Sequence, residues 1–138
     1  LVSRYEYAGP VRLAPLLVNQ RRRLESAIDE FRDPRQRRRL FRVAGQVSGL
    51  LAYMAVNRGR YPLARAYCLE AMHLGAFAED RDLLAWVKGT ESFCEYYAGD
   101  YSRSVELARE GLALAGDGPQ RVRLLINGEA RALGKLGD

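Results

Sequence analysis

Three glycines constrain this chain more than any other feature. Gly59, Gly99 and Gly137 stand 40 and then 38 residues apart, and the first two open the phrases Gly59-Arg60-Tyr61 and Gly99-Asp100-Tyr101. Seven residues before each glycine stands a small residue: Ala52, Ser92 and Ala130. Five residues after the first two comes Ala64 or Ser104, and twelve after comes Ala71 or Gly111. Two antiparallel helices joined by a short turn must cross closely. Small residues then line the crossing while bulky ones fill its flanks. The stretch Ala85 to Leu114 states the pattern most fully. Trp86, Phe93, Tyr97, Leu107 and Leu112 supply bulk around Ser92, Ser104 and Gly111, with a turn at Ala98-Gly99-Asp100-Tyr101.

The remaining periodicity is helical throughout, and no alternation marks a strand. Pro10 suits the first turn of a helix, and Leu13, Leu16, Leu17, Leu24, Ala27, Ile28 and Phe31 carry one apolar stripe over Val11 to Phe31. Arg21, Arg22 and Arg23 fan over its wet side. Asp33 can cap the next helix with Pro34 in its first position. That second helix, Pro34 to Asn57, has an apolar stripe wide enough to pack between neighbours, and Gly45 and Gly49 leave room for another backbone to come near. A third helix runs from Tyr61 to Phe77, with Gly75 as a C-terminal stop, and 79–82 forms a charged connector. Leu83 to Ala98 and Tyr101 to Ala115 follow. The cluster Gly116-Asp117-Gly118-Pro119 turns the chain into a sixth helix from Gln120 to Leu136, with Val122, Leu125, Ile126, Ala130 and Leu133 on its apolar side. Tyr5 and Tyr7 precede the first helix without a pattern of their own.

A chain of 138 residues makes one domain, and 48% hydrophobic with 28% charged residues is ordinary for a globular protein. Charges interrupt every apolar run before the roughly 18 residues a membrane span needs. The first residues lack the basic and apolar blocks of a signal peptide, so a cytoplasmic protein that binds no membrane is expected. In a reducing cytosol, Cys68 and Cys94 serve as small buried hydrophobes. The net charge of +5 raises nucleic acid as a partner, but acidic residues are interspersed with the basic ones. Arg35, Arg37, Arg38, Arg39 and Arg42 crowd the first turns of the second helix against its macrodipole. They read as a solvated face, a docking surface for an acidic partner or a contact with phosphates.

The order of small residues and glycine-aromatic turns resembles the tetratricopeptide repeat, whose usual length is about 34 residues. The units here are longer, and Gly75-Ala76-Phe77 stands where that repeat usually ends in proline. The runs LLAYMAVNRGRYPLARAYCLEAM and LAWVKGTESFCEYYAGDYSRSVELAREGLALAG, with Trp86-Val87-Lys88-Gly89-Thr90 as the most specific phrase, resemble actinomycete Xre-type helix-turn-helix transcriptional regulators. In these a tetratricopeptide-like region follows the DNA-reading domain. The resemblance implies a sensor or protein-contact region, with DNA reached only through an N-terminal domain missing from these residues. The expected architecture is all-α: a right-handed solenoid of antiparallel helical hairpins with six to seven helices. It forms one domain over residues 1–138, with N-terminal helices at 10–57, repeats at 45–77 and 83–115, and a half repeat at 120–138. The end at Asp138, in a repeat turn, fits a fragment.

In such a stack the first helix of each pair lines the concave side. The repeat register then turns Gln46, Gly49, Tyr53 and Asn57 inward, followed by Trp86, Gly89, Phe93 and Tyr97, and by Asn127, Arg131 and Lys135. Aromatic faces beside amides and cations suit a peptide, a small molecule or a protein segment. The site residues are therefore Tyr53, Asn57, Trp86, Phe93, Tyr97, Asn127, Arg131 and Lys135. The competing reading has Trp86 and Phe93 simply packing between repeats. No catalytic function is expected. His73, the single histidine, stands five residues from Cys68, on another side of its helix, and Glu91 and Glu95 look like repelling neighbours on a wet face. No paired-cysteine or HExxH element provides a metal site and no phosphate loop or cofactor motif is present. The alternative function is a scaffold or homodimerisation module without a small ligand.

Overall fold

The computed structural model describes residues 10–137, and among them every regular element is a helix. Helix α1 spans Pro10–Glu30, α2 Pro34–Asn57, α3 Tyr61–Phe77, α4 Arg81–Ala98 and α5 Tyr101–Ala115. The sixth rod, α6, is composite: a turn at Arg121–Arg123, a π-helical stretch at Leu124–Ala130 and a closing turn at Arg131–Lys135. Tyr5, Tyr7 and Asp138 lie outside the described residues.

Side chains at the helix starts explain most boundaries. Asp33 caps α2 by accepting from the Arg35 backbone N–H at 3.3 Å, with Pro34 next in line. Asp80 does the same for α4, accepting from Leu83 N–H at 3.0 Å, so α4 begins at Arg81 rather than at Leu83. Gly75 is not the stop of α3. It is buried inside the helix, where a Cβ would come 2.9 Å from Leu84 Cδ2, and the chain reverses at Glu79, with φ of 54°. The glycine thus serves the contact with α4. Gly45 and Gly49 likewise make room, but for the side chains of Leu83 and Trp86 rather than for a backbone.

The turn repeat is literal. Gly59 N–H donates to Val56 O at 2.9 Å, Gly99 N–H to Tyr96 O at 3.2 Å and Gly137 N–H to Gly134 O at 3.3 Å. The three glycines have φ of 72°, 93° and 89°, a left-handed backbone that costs an L-residue roughly 1–2 kcal/mol. Arg60 N–H to Ala55 O and Asp100 N–H to Glu95 O, both 2.9 Å, complete equivalent turns 40 residues apart.

Each helix packs on the next, and α2 also packs on α4 and α4 on α6. Two hairpins, α2–α3 and α4–α5, therefore stand side by side with their first helices in contact. At the second crossing, Ser92 Oγ donates to Ser104 O and Ser104 Oγ to Ser92 O, each at 2.8 Å, which satisfies both hydroxyls in a dry contact. Ala52 and Ala64 are fully buried at the equivalent positions of the first hairpin.

The face of α6 departs from expectation. Leu124, Gly128 and Ala132 are its buried residues, whereas Val122 and Ile126 are 65% and 61% exposed and Ala130 is exposed too. The reason is clearance. A Cβ on Gly128 would come 2.8 Å from Ala108 Cβ, and one on Gly111 would come 2.7 Å from Leu124 Cδ2. The surface of α5 thus accepts Leu124 over Gly111 and the bare Gly128 against Ala108, and not the β-branched line.

The arginines are more engaged than a wet face requires. Arg21 is half-buried and bridges to Glu70 through Nε at 2.9 Å and Nη2 at 2.5 Å, while Ser48 Oγ donates to Glu70 at 2.8 Å. This joins α1, α2 and α3. Arg37 Nη1 donates to Ile28 O at 2.6 Å and Phe31 O at 2.9 Å, closing the end of α1. Arg38 pairs with Glu79, and Arg42 with Asp80 at 2.9 Å.

Gly99→Ala should cost about 1–2 kcal/mol and Gly128→Ala about 1–3 kcal/mol through overpacking. Gly134→Ala, which meets nothing within 4 Å and has no positive φ, should be neutral or gain up to about 1 kcal/mol; urea denaturation reads all three. Burial pushes the Glu70 carboxyl up, but the bonds from Arg21 and Ser48 outweigh it and hold it below the ordinary carboxylate value. A lowered folded-state pKa means stability present at neutral pH and lost as pH falls through the carboxylate range. Arg21→Ala should therefore destabilise the chain by about 1–2 kcal/mol at pH 7, a difference that shrinks as pH drops below about 4.

Candidate binding groove

The contact between first helices is built on two glycines in equivalent places. A Cβ on Gly49 would overlap the Trp86 ring, and a Cβ on Gly89 would overlap the Arg123 guanidinium. Each glycine of one unit thereby receives a large side chain from the first helix of the next. The face shared by α2, α4 and α6 is open along both insertions.

One cavity on this face, of about 240 Å³, is lined by Tyr53, Gly89, Phe93, Arg123, Asn127, Gly128 and Arg131. Four expected site residues, Tyr53, Phe93, Asn127 and Arg131, meet here from three separate helices. Tyr53 and Phe93 stack with centroids 5.2 Å apart and planes at 15°. Tyr97, 52% exposed, meets Phe93 edge-on at 4.8 Å. The Arg131 guanidinium carbon lies 4.3 Å from the Tyr96 ring centroid, 5.6 Å from that of Tyr97 and 5.8 Å from that of Phe93, within cation–π range of all three. Its Nε is buried with no hydrogen-bond partner among the described residues.

Arg123 was not foreseen as a site residue. Its Nη1 donates to Trp86 O at 3.0 Å and its Nη2 to Thr90 Oγ1 at 3.3 Å. Among the described residues, the ion pairs include no carboxylate on Arg123 or Arg131. Burial pushes the Arg123 guanidinium below its ordinary value. A signal for it existed: Lys135, Arg131 and Asn127 stand four apart, and one step further back gives Arg123. The expected register simply stopped a turn too soon. Tyr96 was missed because it sits one residue before the inward register position at Tyr97.

Trp86 does not reach this cavity. It lines a neighbouring hollow of about 500 Å³, with Gln46, Leu50, Asp80, Asp82, Leu83 and Gln120. It also packs against the buried clusters around Leu50 and Leu83, so Trp86 serves both the packing role and the surface. Asn57 and Lys135 are exposed and line neither hollow.

A third hollow, of about 680 Å³, includes Cys68, His73, Lys88, Glu91, Cys94 and Glu95 in its lining. Cys68 and His73 thus border one space despite their offset around α3. Burial pushes both thiols up, that of Cys94 to about 11, so they stay protonated and unreactive at neutral pH. Glu91 and Glu95 are not on a wet face. Glu95 is buried and accepts from Arg65 Nε and Nη2 at 2.8 and 2.9 Å, while Glu91 is half-buried beside Lys88. The packing of α4 between α3 and α5 is what encloses them.

No protein-family model, no curated protein and no solved structure matches this chain.

Gly89→Ala should push the Arg123 guanidinium off Trp86 O and Thr90, destabilising the chain by about 1–3 kcal/mol in chemical denaturation.

Proposed function

We propose that this chain is a non-catalytic, ligand-sensing region of a bacterial transcription regulator of the Xre type, working in the cytoplasm. Its helices would stack as a right-handed tetratricopeptide-like solenoid. The groove along α2, α4 and α6 would take a short peptide or a small molecule. The observation that carries this reading is the meeting of Tyr53, Phe93, Asn127 and Arg131 in one cavity from three helices. The turn geometry repeated at Gly59, Gly99 and Gly137 supports the repeat architecture. No helix of the described residues is long and apolar enough to cross a membrane.

A ligand touching three stacked helices at once favours one stacking angle over others. That differential affinity is the whole of its leverage: moving a two-state equilibrium from 1:99 to 99:1 takes about 5.5 kcal/mol. A DNA-binding domain attached before α1 would be repositioned by the same shift, and DNA would be reached through that domain alone. A second reading, a scaffold or homodimerisation module, has Val122 and Ile126 on its side, exposed one turn apart on α6. Light scattering separates the two: tight dimerisation without ligand binding favours the scaffold.

In calorimetric titration with a library of short peptides and small metabolites, Phe93→Leu and Tyr53→Ala should weaken any binder at least tenfold. Leu69→Ala, an exposed position on α3, should leave affinity unchanged. Binders indifferent to both groove substitutions would remove this reading.

A further inference from the structure

We infer that the groove holds its ligand by an oxyanion seated between Arg123 and Arg131, an inference that rests on the groove reading and names the chemistry of its ligand. An arginine keeps its proton in a protein, and taking that charge out of water without an opposite one nearby is unfavourable. Two other half-buried cations have acidic partners, Arg21 with Glu70 and Lys88 with Glu91 and Glu110, while Arg37 spends its donors on two carbonyls that end a helix. The more exposed Arg65 has Glu95. Arg123 is half-buried, and desolvation lowers its pKa, yet its hydrogen bonds go to a carbonyl and a hydroxyl, both neutral.

The second cation has the same deficit. Arg131 is held by the faces of Phe93, Tyr96 and Tyr97, which fix its position and leave its buried Nε without an acceptor. Both guanidiniums and the Asn127 amide line the same cavity, and no Asp or Glu does. The backbone brings them into line, because residues four apart share one face of a helix. The buried line Leu124, Gly128, Ala132 and the groove line Arg123, Asn127, Arg131 both keep that spacing.

Two guanidiniums and an amide with no internal acid form a receptor for a carboxylate or a phosphoryl group, both of which take charge-assisted bonds from arginine. About 240 Å³ admits that group and a small substituent against the Tyr53–Phe93 stack.

The test titrates the 138-residue chain with acetate, N-acetylglycine, phosphate and sulfate against chloride at constant ionic strength. Melting temperature and calorimetry are the readouts, since a ligand of the folded state raises stability by mass action. One oxyanion class should bind saturably above chloride. Arg131→Gln should weaken it at least tenfold, about 1.4 kcal/mol, Arg131→Lys should retain part of the affinity, and Arg103→Gln should change nothing. Earlier saturation by acetate and N-acetylglycine assigns a carboxylate, and earlier saturation by phosphate and sulfate a phosphoryl group; either supports the inference. No anion exceeding chloride, or equal binding by Arg131→Gln, overturns it. Library peptides that need Phe93 but bind equally after C-terminal amidation and to Arg131→Gln would overturn this inference while leaving the groove reading intact.

Discussion

The structure depends on how closely the first helices of successive hairpins can approach. Two glycines, Gly49 and Gly89, decide it. Each removes the Cβ that would block a neighbour, and each space is filled by a large side chain, Trp86 in one case and Arg123 in the other. Helices in contact through side chains of ordinary size sit 8–10 Å apart. Inserting a ring or a guanidinium across a bare backbone keeps α2, α4 and α6 in one layer while leaving hollows beside each insertion. The cavities on this face are a consequence of that packing, not an addition to it.

Charge is distributed in a way that separates the two sides of the molecule. On the side of α3 and α5, cations and carboxylates are paired: Arg65 with Glu95, Lys88 with Glu91 and Glu110, Arg103 with Glu106. Around α1 and the start of α2, Arg21, Arg38 and Arg42 each have an acidic partner, and Arg37 closes a helix end. On the α2–α4–α6 face, Arg123 and Arg131 have no acidic partner among the described residues, and both border one cavity. A chain with 22 basic and 17 acidic residues could have paired these two as well. What sets these two apart from Arg37, whose donors end a helix, is that they border the same cavity.

Particular residues show how much of this was legible beforehand. The hairpin turns were, because a left-handed backbone selects glycine and the i→i−3 bond is local. So was the wide burial of α2, whose apolar stripe exceeds one face. The face of α6 was not: Val122 and Ile126 share the four-residue spacing of the buried Leu124, Gly128 and Ala132, and only clearance against α5 decides between the two lines. Gly75 was misread as a stop, since a glycine's need for space and its tolerance of positive φ look alike in a one-dimensional pattern. Glu91 and Glu95 were placed in water because nothing in α4 alone says that α3 and α5 cover two of its sides.

The amino-acid order by itself determined the all-helical class, the helix limits to within about two residues and the 40-residue recurrence of the turns, since all of these follow from contacts within a few residues along the chain. It also placed Tyr53, Phe93, Asn127 and Arg131 on faces that could meet. Only the tertiary structure decided that they do meet, that Trp86 faces a different hollow, and that Arg123 is half-buried beside them without a carboxylate. Such facts depend on the separation of helices dozens of residues apart, and that separation is set by which side chain fills which glycine.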